Sequence, residues 1–133
     1  LAQALLNRPE DPPLLKGSDP ENLGNIIDPQ MMKLALRTGG LEIRPEDERR
    51  LKRGGFTPHD IVQLIREGTN DWFTLLRSYT NYSIGELDYH LWGNIGRKFC
   101  RSTAPPKCDE CPLSDVCVKK IELSSPKERT TFY

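Results

Sequence analysis

All four cysteines of this chain lie within one short run, Cys100-Arg-Ser-Thr-Ala-Pro-Pro-Lys-Cys108-Asp-Glu-Cys111-Pro-Leu-Ser-Asp-Val-Cys117. Loops of seven, two and five residues separate the sulfurs, short enough to fold all of them around one compact object. Three kinds of chemistry are compatible with that crowding. An inorganic cluster takes one thiolate on each iron corner. Zinc also accepts four cysteines, but its usual signature is two Cys-x2-Cys knuckles set well apart, and this chain has one such pair. Two disulfides would need an oxidising compartment, and nothing in the chain looks secreted; cytosolic thiols stay reduced.

At 133 residues the chain is one domain or a piece of one, and a chain of such length buries about 65% of its unfolded surface, enough for one modest core. Hydrophobic residues make up 36% against 29% charged, and 19 basic side chains cancel 19 acidic ones, so no global field draws a polyanion. The charge is unevenly placed. Residues 1–30 carry two basic and five acidic side chains, whereas residues 97–120 carry six basic (Arg97, Lys98, Arg101, Lys107, Lys119 and Lys120) and three acidic. The cysteine end is therefore the basic end, as either solvated surface or a nucleic-acid contact would be. No apolar run reaches membrane-spanning length and no leader pattern opens the chain, so a cytoplasmic protein is the expectation. The first residue is Leu1, not Met, from which we expect residues upstream.

The periodicity predicts an all-helical fold. Pro9, Pro12 and Pro13 interrupt regular structure, so residues 1–18 read as a linker or the end of an upstream element. Residues 19–95 read as a helical region, 96–120 as the cysteine loop and 121–133 as a C-terminal tail. Ser18-Asp19-Pro20-Glu21 opens a brief helix through about Ile26. Asp28-Pro29 opens a second, with Met31, Leu34 and Ala35 on one half-buried face, ended by Gly39-Gly40. Pro45 to Lys52 has acids first and bases last, the order that complements a helix dipole. Thr57-Pro58-His59-Asp60 begins a helix that Gly68 closes, and Asn70-Asp71 begins another. In that last one Trp72, Phe73, Leu75, Leu76 and Tyr79 form the densest apolar surface and the expected core. Ser83-Ile-Gly-Glu86 is a capping box, from which Ile84, Leu87, Leu91, Ile95 and Phe99 line a long helix that delivers Cys100.

Gly96-Arg97-Lys98-Phe99-Cys100 and the Pro-Lys-Cys-x-x-Cys-Pro-Leu run ending at Cys117 resemble the loop that closes DNA glycosylases of the endonuclease III and adenine-glycosylase group. In that family four cysteines hold a 4Fe-4S cluster, so the resemblance implies Cys100, Cys108, Cys111 and Cys117 as its ligands. The seven residues in the first gap are one more than is usual there, a cheap change in an exposed loop. The segment from Ile27 to Gly39 resembles a second part of the family, an aspartate that begins a helix running to an Arg and a Gly. Asp28 then matches the catalytic aspartate, with Gln30 where His or Asn is usual and an extra glycine after Thr38. The same Asp28 reads equally as an ordinary helix cap.

The resemblance implies base excision from duplex DNA, by hydrolysis, with or without a lyase step. It covers residues 27–117, most specifically 96–117. Breaking the bond between base and sugar builds positive charge on the deoxyribose, which a carboxylate held at a helix start opposes. Arg101 and Lys107, on the loop pinned by the first cysteines, with Arg97 behind them, are the expected contacts to DNA phosphates. Ala4 to Pro13, where the family's helix-hairpin-helix should fall, has no glycine, and Lys16 belongs to no motif. The hairpin is therefore expected from an upstream segment or a second chain. His90 and His59 are weaker polar candidates. Two other readings remain: a non-catalytic 4Fe-4S module that binds DNA or docks a partner, and a zinc-stapled interaction domain. A DNA glycosylase would work in the cytoplasm, on the nucleoid, or in the nucleus.

Overall fold

The computed structural model describes residues 27–129. The expected linker over 1–18, the short helix after Ser18, Lys16 and residues 130–133 lie outside them. Helix α1 is Pro29–Thr38, α2 is Pro45–Lys52, α3 is His59–Ser78 and α4 is Ile84–Asp88, which runs directly into a π-helical segment, Tyr89–Phe99. The described residues contain no strand, and an isolated bridge between Phe56 and Lys127 is their sole β-type pairing. The fold is helical, as the periodicity requires.

Helix α1 forms where the local signals place it. Asp28 is extended (φ −93, ψ 170) and its carboxylate accepts from the Met31 N–H, proline occupies the first turn, and Gly39 ends the helix at φ 83, a left-handed geometry that costs other residues about 1–2 kcal/mol. The half-buried expectation is corrected: every residue from Met31 to Arg37 is buried. Met31 and Leu34 pack with Phe73, Ile84, Leu87, Leu91 and Ile95. Met32 and Leu36 pack on the other side with Leu51, Ile61, Val62, Ile65 and Leu123. Helix α1 is thus the axis between two halves of the core, against α3 on one side and the π-helical segment on the other.

The expected core between Trp72 and Tyr79 is also corrected. Gly68 does not end a helix, because α3 runs unbroken for 20 residues. A β-carbon at Gly68 would stand 2.6 Å from a Leu41 methyl, so this glycine makes room for a packed side chain. A helix buries one stripe, and in α3 that stripe is Ile61, Ile65, Thr69 and Phe73 at four-residue steps. Phe73 is the one fully buried member of the expected set, while Leu75 and Tyr79 are 55% and 82% exposed. Thr57 does not cap α3: its hydroxyl is buried without a partner and its N–H donates to the Lys127 carbonyl at 2.8 Å.

The capping box at Ser83 forms as expected, with the Ser83 hydroxyl and the Glu86 carboxylate each receiving a backbone N–H. The long α-helix expected after it widens at Tyr89 into π-helix. Gly93 and Gly96 weaken the α-helical preference here. The Cys100 N–H donates to the Ile95 carbonyl, five residues back, at 2.8 Å. Beyond the cysteines the chain recrosses the core: Leu123 is buried, the Ser124 hydroxyl donates to the Leu51 carbonyl at 2.7 Å, and Lys127 meets Thr57. No helix among the described residues is long and apolar enough to cross a membrane.

Candidate functional site

Cys100, Cys108, Cys111 and Cys117 line one small cavity, walled by apolar side chains that include Leu34, Ile95, Phe99 and Leu113. Short-range backbone bonds shape the loop around it. The Lys107 N–H donates to the Phe99 carbonyl (2.9 Å), Cys111 to Cys108 (3.2 Å), Ser114 to Cys111 (2.9 Å) and Cys117 to Leu113 (2.8 Å). None of the four thiols is in a disulfide. Burial pushes the Cys108 thiol up, and negative charge on Cys100, Cys117 and Cys111 adds to the effect. No group of three or more His, Cys, Asp or Glu side chains among the described residues is arranged to hold a metal ion.

Helix α1 meets both ends of this loop. Arg37 donates from Nη1 to the Cys100 sulfur (3.7 Å) and the Arg101 carbonyl (3.2 Å), and from Nε to the Leu123 carbonyl (2.7 Å). The Arg37 carbonyl accepts from the Lys120 N–H at 3.1 Å and lies 3.5 Å from the Cys117 sulfur, while the Thr38 carbonyl accepts from Val118 at 3.3 Å. One turn earlier, the buried Lys33 ammonium donates to Gln30 Oε1 (2.7 Å) and to the Ser102 hydroxyl. The Gln30 amide donates to the Gly96 carbonyl at 2.9 Å, satisfying an acceptor near the end of the π-helical segment. A β-carbon at Gly96 would stand 3.1 Å from that amide, so glycine permits the approach. Burial pushes the Lys33 ammonium down to about 8, against the opposing pull of Cys100 and Asp28.

A second, open cleft adjoins the loop. Asp28, Arg97 and Arg101 line it together, with Trp92, Ser102 and Thr103. Asp28 is half-buried, one oxygen fixed by the Met31 N–H at 2.8 Å. The Arg97 guanidinium lies 5.1 Å from the centre of the Trp92 ring, within reach of a cation–π contact. Arg101 donates from Nη2 to the Pro105 carbonyl at 2.9 Å, and its buried Nε has no partner. Behind the cleft Asp88 is pushed up by burial and by the charge of Asp28.

Three of the expected polar residues thus share one cleft. Lys107 does not join them; it lines the cysteine cavity and pairs with Glu110 at 3.1 Å. His90 stacks against Tyr82 with centroids 4.9 Å apart, and His59 pairs with Glu128. The residues that sequence reasoning missed are Lys33 and Arg37, cations four apart in a short apolar helix. No local signal marked them, because their burial follows from the rest of the chain closing over α1. Compared with known protein families, curated proteins and solved structures, the chain has no match.

Proposed function

We propose that this chain is the iron-sulfur-bearing, C-terminal portion of a helix-hairpin-helix DNA glycosylase similar to the endonuclease III and adenine-glycosylase group, excising damaged or mispaired bases from duplex DNA. The observation that carries the reading is the shared cleft: Asp28 and the two arginines, about 70 positions apart in the chain, line one opening beside the four-cysteine cavity. The cysteines are read as ligands of one 4Fe-4S cluster. The spacing supports that choice, because zinc's usual pattern is two Cys-x2-Cys knuckles set well apart and this chain has one such pair. When bound, such a cluster acts as a staple that holds the loop bearing Arg101.

Within this reading each residue has a task. Arg97 and Arg101 hold phosphates of the strand, with the Ser102 and Thr103 hydroxyls beside them. The target base leaves the duplex at a cost of a few kcal/mol, least at lesions and mispairs. Asp28, immobilised at a helix start, opposes the positive charge that develops on the deoxyribose and orients the attacking water. The hairpin and the base pocket come from residues or a chain beyond this sequence, and the site of action is the nucleoid or the nucleus.

Asp28→Asn tests the assignment. Asparagine keeps the size and the capping acceptor, so stability should fall by no more than about 1 kcal/mol. Loss of the opposing charge should slow excision about a hundredfold or more. The measurement is single-turnover excision by the complete protein on lesion-bearing duplexes. Wild-type rates in Asp28→Asn would leave Asp28 as a helix cap, and duplex binding without excision of any base from a broad panel would make the chain part of a non-catalytic DNA-binding module.

A further inference from the structure

The chemistry of base excision leaves two buried cations of α1 without a task. Lys33 is 1% exposed and Arg37 9%. The partners of Arg37 are two carbonyls and the Cys100 sulfur, and those of Lys33 are the oxygens of Gln30 and Ser102. Neither forms an ion pair with a carboxylate among the described residues. A charge taken out of water without a counter-charge is costly, and arginine cannot escape by losing its proton. Among the groups Arg37 touches, the Cys100 sulfur alone becomes an anion, which it does when it ligates a metal.

We infer that Arg37 is the fixed counter-charge of the cysteine centre and the residue that keeps its Cys100 corner attached to α1. The inference rests on the proposed reading of the four cysteines as ligands of one iron-sulfur centre. It accounts for three features at once: the burial of an unpaired guanidinium, its N–H directed at a cysteine sulfur, and its second bond from the same nitrogen to the next residue's carbonyl. Positive charge and an N–H···S bond both favour the more electron-rich state of such a centre, so Arg37 also raises its reduction potential. Arg37 is a positioning residue in this sense and has no contact with DNA to lose.

The test uses the whole chain, purified without oxygen, as wild type, R37K and R37M. Iron and sulfide in the wild type are measured first, because their absence would remove the underlying reading and with it the charge to be balanced. In loaded protein, R37M should lose its visible absorbance to a chelator about tenfold faster than wild type, the equivalent of one hydrogen bond to a charged group. Its reduction potential, read by voltammetry on protein with its full complement of iron and sulfide, should fall; an arginine with only a structural role would not move it. R37K keeps the charge but has no second nitrogen to hold the Leu123 carbonyl as Nε does, so it should bleach faster while its potential stays nearer to wild type. R37M with the wild-type bleaching rate and potential overturns the inference. Should R37M fail to accumulate in loaded form, R37K bleaching at the wild-type rate overturns it equally.

Discussion

Helix α1 and the loop from Cys100 to Cys117 touch along one edge, yet they are held in place by different means. Seven consecutive residues of α1 are buried, whereas no residue from Cys100 to Cys117 is. The helix is fixed by apolar area removed from water, about 1.5–3 kcal/mol for each fully buried large side chain. The loop has Leu113 packed against the core, a few backbone bonds, and the side chains that α1 extends to it. A core needs nothing from outside the chain. On the proposed reading, the cysteine centre supplies the staple that a loop so poor in apolar contacts lacks.

The sharpest way to break this contrast is to damage the core. Leu34→Ala should cost about 2–5 kcal/mol in chemical unfolding, and by a similar amount whether or not iron is present. A cost that vanishes in loaded protein would mean that the centre, and not burial, organises α1. The converse damage is Cys111→Ala. Amides of Cys111, Ser114 and Cys117 should lose protection from hydrogen exchange about tenfold or more, while those of α1 and α3 keep theirs. Cooperative loss of all helices in Cys111→Ala would merge the two regions into one unit.

A subtler probe uses pH. Burial holds Lys33 at about 8 against its ordinary 10.5. Between those values the unfolded chain keeps a proton that the folded chain has released, so the stability of the metal-free protein should rise with pH across that window and be insensitive to Lys33 below it. Lys33→Met should flatten that rise; an unchanged slope would show that Lys33 is solvated. An anionic centre at the cysteines would favour the charged ammonium and shrink the difference, tying the helix to the loop. The smallest expected effects separate the basic residues. Arg97→Gln and Arg101→Gln should each lower the salt slope of DNA binding by about one unit. Lys107→Gln should change it less, because Lys107 is engaged by Glu110, and its exposed ion pair is worth no more than about 1 kcal/mol to stability. Equal slopes for all three substitutions would mean that the cleft does not define the contact surface.

Much of the fold was legible because its signals are local. Asp28-Pro29, the acids and bases of Pro45 to Lys52 and the Ser83 capping box each act over one or two turns, and each produced the helix start or dipole order that it encodes. The cysteine spacing is local too, and it placed four thiols around one cavity. Tertiary structure decided the rest, because those outcomes depend on partners far along the chain. Nothing within α1 says that it, and not the apolar run from Trp72 to Tyr79, would be enclosed on all sides; that follows from the helices and the Leu123 segment closing over it. Lys33 meets Ser102 across 69 positions and Arg37 meets Leu123 across 86, contacts that no spacing rule reaches. The cleft that joins Asp28 to Arg97 and Arg101 is of the same kind. Caps and turns are paid for within a few residues, whereas burial is settled only when the whole chain has chosen which surfaces water no longer touches.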